Sequence, residues 1–207
     1  MAHMTTPVRL RGAEETAFRR QFEMDAVWSR MIAPGGRVPA MPLIEVDLGP
    51  IHLDLMLRTG PIVLVFFPYA GPASCDDLLA GYQRTLLPPC TSAGAHLVAV
   101  SPQRPDLLAP LKHRLDLGYL VASDPRHILI DAFGIGYRGP EASEVLGTGR
   151  AVLPYPAVVV ADRTGTVRYA SVRPEAAPPT PAARIIAALD RLVPAPSGGA
   201  AAPSTRD

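Results

Sequence analysis

The chain carries two thiols, Cys75 and Cys90. A thiol that ionises is both a nucleophile and an electron donor. Cys75 stands in Ser74-Cys75-Asp76-Asp77, directly after an apolar run and at the start of a helical pattern. Ser74, with Asp77 three residues on, fits a capping box and sets Cys75 in the first helical turn. There the unpaired backbone N–H groups and the positive end of the helix dipole favour the thiolate, while Asp76 and Asp77 oppose it through their negative charge. Cys90 lies near the end of the same helical stretch, which Pro88-Pro89 should kink. At about 1.5 Å per residue the two thiols stand on the order of 20 Å apart, beyond the roughly 4.4 to 6.8 Å between Cα atoms that a disulfide spans. They are therefore not expected to pair within one subunit. Oxidised Cys75 would need an outside thiol or another subunit, and Cys90 reads as a buried helix residue.

Other chemistry finds little support. Two cysteines make neither a disulfide framework nor a four-ligand zinc site, and the five histidines show no metal-ligand spacing. No metal and no cofactor is expected. His52, His96, His113 and His127 read as exposed or hydrogen-bonded rather than catalytic. Asp76 and Asp77, as neighbours on a helix, point about 100° apart and do not form a carboxylate pair. Twenty Lys and Arg against nineteen Asp and Glu give a net charge of +1, which argues against nucleic acid or an anionic membrane as partner. No apolar run approaches the roughly 18 to 20 residues of a membrane span, so a cytoplasmic protein is expected.

The elements that position Cys75 follow from periodicity. Residues 13–33 space Phe18, Phe22, Val27, Met31 and Ile32 as an amphipathic helix does, ended by Pro34-Gly35-Gly36. Residues 42–48 and 51–55 alternate around Gly49-Pro50 as a hairpin. Ile62 to Phe67 is unbroken apolar sequence, the mark of a strand buried on both faces, and the Cys75 helix follows to about Leu87. Strand at 96–100, helix at 104–116, strand at 119–122 and helix at 126–133 complete a β-α-β-α alternation. Residues 136–153 show no period and read as a surface loop. Residues 156–160 and 166–170 flank Asp162-Arg-Thr-Gly165 as a second hairpin, and 182–193 is a final helix. Met1-Ala-His-Met4 has the form of a cloning remnant, within a flexible stretch 1–12. Residues 13–193 then form one domain, and 194–207 is a Pro-, Ser-, Gly- and Ala-rich disordered tail.

The segment Val63-Leu-Val-Phe-Phe-Pro-Tyr-Ala-Gly-Pro-Ala-Ser-Cys75 resembles the active-site segment of peroxiredoxins, the alkyl hydroperoxide reductase and thiol-specific antioxidant family. Residues 94–102, Ser123-Asp-Pro125, Ala132-Phe-Gly134 and 156–165 follow the same family's rhythm, so the resemblance covers about residues 42 to 192. It implies an α/β thioredoxin-like fold: a central mixed sheet flanked by helices, with an N-terminal helix and hairpin extension. It implies further that Cys75 attacks a hydroperoxide, becomes sulfenic acid, and is recycled by an external thiol reductant, as in a one-cysteine peroxidase.

Two positions depart from that family. Pro72 stands where a Thr or Ser hydroxyl orients the peroxide, and Pro156 stands where an arginine precedes the late core strand. Pro156 resembles instead the thioredoxin branch, in which a cis proline faces the cysteine helix, and Tyr155-Pro156 is a dipeptide able to adopt cis. In that branch the helix opens with Cys-x-x-Cys, which here reads Pro72-Ala-Ser-Cys75, so dithiol exchange is not expected. The candidate site is Cys75 as the catalytic residue, with Pro68, Tyr69, Pro72, Pro156 and Arg150 about a small-molecule substrate. The alternative is a divergent thioredoxin-fold protein that binds a small molecule or partner, or catalyses a specialised reaction, in the same cleft. The apolar stripe of Phe22, Trp28 and Met31 suggests a homodimer.

Overall fold

The computed structural model describes residues 16, 19–139, 141–174 and 178–192. The expected remnant at 1–12, the tail at 194–207 and Phe18 lie outside the described residues. After a helical turn at 19–24, the elements run α1 (Val27–Arg30), β1 (Pro42–Glu45), β2 (Gly49–His52), α2 (Leu53–Thr59), β3 (Ile62–Phe66), α3 (Ala73–Thr85) and α4 (Leu87–Ser92). Next come β4 (His96–Ser101), α5 (Pro105–Arg114), β5 (Leu120–Ser123), α6 (Ile128–Ala132), β6 (Gly136–Arg138), α7 (Ala142–Leu146) and β7 (Val152–Pro154). The last elements among the described residues are β8 (Ala157–Ala161), β9 (Val167–Val172) and α8 (Ala182–Asp190).

Seven strands form one mixed sheet in the order β2-β1-β5-β4-β3-β8-β9. The centre is parallel, β3 with β4 and β4 with β5, and the hairpins β1-β2 and β8-β9 add to it antiparallel. This is the mixed α/β, thioredoxin-like architecture expected. Because side chains alternate along a strand, β3 divides its apolar residues between two cores. Ile62, Leu64 and Phe66 face α2, α6 and the N-terminal segment, whereas Val63, Val65 and Phe67 face α3, α4, α5 and α8. Cys75 belongs to the second core.

Three local readings need correction. The strand beginning at Ile51 stops at His52, and Leu53–Thr59 is helical because Leu53 and Leu57, four residues apart, both seat in the core. Ile51, Leu53 and Leu55 fit alternation equally well, but Leu55 emerges half-exposed. Residues 136–153 are not a surface loop: Tyr137, Ala142, Leu146 and Leu153 are buried, and β6 pairs with β7 through Tyr137 and Leu153. Helix 13–33 is interrupted at Ala26, whose φ of 45° is left-handed. Five residues separate Phe22 from Val27, about 140° around a continuous helix. The break lets both enter the core and leaves Trp28 exposed. Arg30 then ties this segment down by donating to the Gly134 and Gly136 carbonyls at 2.7 Å each.

Candidate active site

Cys75 is positioned by the connection from β3 to α3. Ser101, at the end of β4, donates its hydroxyl to the Pro68 carbonyl at 2.9 Å. Gln103 accepts the Ala70 N–H on Oε1 at 2.9 Å and donates from Nε2 to the Val145 carbonyl at 2.7 Å. Gly71, at φ 148°, turns the chain through backbone space that other residues rarely enter. Pro72, extended at φ −63° and ψ 134°, is the N-cap of α3. The expected capping box is therefore replaced: Ser74 lies inside the first turn, and the Pro72 carbonyl accepts the Cys75 and Asp76 N–H groups at 3.0 and 3.4 Å.

Cys75, on the third helical residue, is 5 % exposed and packs with Val65, Phe67, Leu79 and Tyr82. It also lines an open cavity of about 300 Å³ whose walls include Pro68, Pro156, Tyr82, Thr180 and Arg173. The Tyr82 hydroxyl donates to the Thr180 carbonyl at 2.9 Å. Burial, with the neighbouring Tyr169, pushes that phenol up to about 12 despite the Arg173 charge, so it remains protonated. Beside the thiol, Arg114 forks Asp76 with contacts of 2.6 and 3.1 Å. The negative charge one residue from Cys75 is thus largely answered by a guanidinium. Asp77 is exposed and also lines the cavity.

Of the residues singled out in the sequence, Cys75, Pro68 and Pro156 come together. Pro72 sets the helix start without forming a wall. Tyr69 is half-buried and packs against the core on the opposite face of the sheet. Arg150 is exposed and donates to the Arg126 carbonyl at 2.7 Å and to Asp131 at 3.2 Å, away from the cavity. Among the described residues no peptide bond is cis, so Tyr155–Pro156 is trans. Tyr155 is held by stacking on Tyr137, with ring centroids 4.4 Å apart, and by donating its hydroxyl to Asp25 at 2.7 Å. Cys90 is 1 % exposed, in α4 rather than α3, and burial pushes its thiol up to about 11. Neither cysteine is in a disulfide. Among the described residues no group of three or more His, Cys, Asp or Glu side chains is arranged to hold a metal, and no helix is long and apolar enough to cross a membrane.

Sequence reasoning missed Arg173, Tyr82, Thr180 and the two loop anchors Ser101 and Gln103. Arg173 was the most accessible of these, since counting back along the second hairpin brings its neighbourhood opposite Pro156. A register shift at Val160/Ala161 moves the pairing by one residue, so that Ala157 faces Val172 and Arg173 N–H bonds the Pro156 carbonyl at 2.9 Å. A one-residue shift exchanges the faces of a strand, and no residue pattern announced it.

Residues 34–170 match the AhpC/TSA family. Two Mycobacterium tuberculosis proteins named as peroxiredoxins, from strains CDC 1551 and H37Rv, are each 28% identical over 103 residues. That match covers 50% of this chain and 64% of the relatives, less than two thirds of their length. Among solved structures, the peroxidoxin BcpB of M. tuberculosis superposes with a TM-score of 0.64 at 20% identity, over 78% of this chain and 98% of its own. A Cys-to-Ser variant of Xylella fastidiosa PrxQ gives 0.64 at 15% identity, over 77% and 96%. A yeast mitochondrial 1-Cys peroxiredoxin gives 0.61 at 15% identity, over 77% and 76%. At these identities the structural likeness speaks for the fold. The family match spans most of the sheet and the whole β3-α3 connection, and the chain belongs to the AhpC/TSA family.

Proposed function

We propose that this chain is a thiol peroxidase whose catalytic residue is Cys75. Family and fold support a thiol peroxidase-like function. The observation that carries the assignment to Cys75 is its place in the first turn of α3, on the wall of a cavity large enough for an organic hydroperoxide. The thiolate attacks the terminal oxygen of the peroxide, an S–O bond forms as the O–O bond breaks, and the alkoxide leaves and takes a proton from water. Cys75, oxidised by two electrons, is then a sulfenic acid. An external thiol condenses with it, releasing water, and a second thiol displaces the mixed disulfide and restores Cys75. Cys90 does not resolve the sulfenate: it is buried and its thiol is pushed up to about 11.

Turnover of hydrogen peroxide and an organic hydroperoxide, with a dithiol as reductant, tests this reading. Activity retained in Cys90→Ser and abolished in Cys75→Ser is expected. Activity unchanged in Cys75→Ser would sink the proposal. A second reading draws on Pro72, which offers the peroxide no hydroxyl, and Pro156, which offers no guanidinium: a protein that binds a small molecule in this cleft without reducing peroxide. Ligand binding that survives Cys75→Ala, with Cys75 inert to every hydroperoxide, is what that reading requires.

A further inference from the structure

Arg173 follows the last residue of β9. Its N–H bond to the Pro156 carbonyl at 2.9 Å holds it against the Cys75 cavity, which it helps to line. Its guanidinium makes no hydrogen bond or ion pair among the described residues, although it carries five donors and a permanent charge. Tyr82 lines the same cavity, and the Arg173 charge pulls its phenol down against the effect of burial. Asp77 enters the lining from α3 but forms no ion pair with Arg173. Much of the remaining wall is apolar: Val65, Leu78, Val158 and Pro179.

A hydroperoxide group alone leaves most of this space unused. The cavity measures about 300 Å³, and at roughly 30 Å³ for each water-sized unit it takes on the order of ten non-hydrogen atoms. A molecule that fits needs a short carbon chain against the apolar wall. It also needs an acceptor for the guanidinium, and the matching planar acceptor is a carboxylate.

We infer that the cavity selects compact organic hydroperoxides bearing a carboxylate, with Arg173 binding the carboxylate while the peroxide meets Cys75. The inference rests on the peroxidase reading and adds the substrate class and its specificity-determining residue.

The experiment follows Cys75 oxidation by mass spectrometry with hydroperoxyhexanoate and with its methyl ester. A charge-assisted bidentate contact is lost in the ester, so the acid should react about tenfold faster in the wild type. The acid-to-ester ratio should fall towards one in Arg173→Gln and be partly restored in Arg173→Lys. A ratio near one in the wild type, or one retained in Arg173→Gln, overturns the inference. A second arm uses hexanoate, which cannot react, with Cys75→Ser protein in a calorimeter: Arg173→Gln should weaken binding about tenfold, and unaltered binding overturns the inference. Arg173-dependent hexanoate binding with Cys75 inert to both hydroperoxides removes the peroxidase reading and leaves carboxylate recognition standing.

Discussion

Gln103 is 5 % exposed, and its side chain bridges the Ala70 loop and the Val145 carbonyl. Gln103→Ala removes the acceptor for the Ala70 N–H and the donor for the Val145 carbonyl, at 2.9 and 2.7 Å. Its backbone bonds, to the Ser101 hydroxyl at 3.2 Å and from the Ser123 hydroxyl at 2.6 Å, remain possible. Each lost bond is worth about 1 kcal/mol net, since Ala70 and Val145 are half-buried and water reaches them in part. The sum, about 2 kcal/mol, lowers Tm by roughly 4 to 8 °C in a chain of this size. The effect should also reach the chemistry, because the Pro68–Pro72 connection sets where α3 begins. A misplaced thiol costs rate out of proportion to stability, and about a tenfold slower Cys75 oxidation is expected. Gln103→Glu keeps the acceptor for Ala70 but turns a carboxylate oxygen towards the Val145 carbonyl, and should be at least as destabilised. Thermal unfolding and single-turnover oxidation of the same samples provide the check. Gln103→Ala with Tm within about 1 °C of wild type and an unchanged rate would refute the claim that this amide holds the loop.

Lys112 lies 2.6 Å from the buried carboxylate of Glu45 and 2.6 Å from Asp47. Burial pulls Glu45 upward, but Lys112 and the N–H groups of Asp47, Leu48 and Val121 outweigh it and hold the carboxyl below its ordinary value. That contribution is fully present above the ordinary carboxylate range and lost as pH falls through the lowered value. Lys112→Met should cost about 3 kcal/mol at neutral pH, with the gap to wild type narrowing towards about pH 4 in urea titrations; a widening gap contradicts the assignment. Iodoacetamide at neutral pH should leave Cys90 unlabelled until urea is added, because its thiol is buried and pushed up to about 11. Native labelling at Cys90 would mean that α4 opens. Met24 and Trp28 are 73 % and 65 % exposed, and we expect them to contact a second copy. Light scattering should give twice the 22.0 kDa chain mass for wild type and a single chain for Trp28→Glu, whereas a wild-type monomer rules out the dimer.

The fold was legible where one period dominated. Ile62 to Phe67 has no polar interruption, and the hairpin around Asp162-Arg-Thr-Gly165 sets turn residues between two apolar, β-branched segments, so all three strands stood out. Residues 53–59 did not, because Leu53 and Leu57 satisfy a helical spacing while Ile51, Leu53 and Leu55 satisfy an alternating one, and only the shape of the core chooses between them. Residues 136–153 bury few but large side chains, Tyr137 and Leu153 among them, between glycines that permit close approach. A Cβ at Gly139 would meet the Leu153 side chain at 2.6 Å. In the site, Cys75, Pro68 and Pro156 were readable because they sit at ends of elements that the sequence marks clearly. Arg150 and Arg173 were both near in sequence to something relevant, and the choice between them was made by a strand register shift and by the fixing of Arg150 on Asp131.

In the proposed reaction the Cys75 Sγ is the atom that takes oxygen from the substrate. Mixing the reduced protein with a single equivalent of hydroperoxide, trapping the sulfenic acid with dimedone and locating the adduct by peptide mass spectrometry measures this directly. One adduct is expected, on Cys75, formed much faster than with free cysteine and absent in Cys75→Ser. Adduct formation at the rate of free cysteine, or on Cys90 instead, would contradict it.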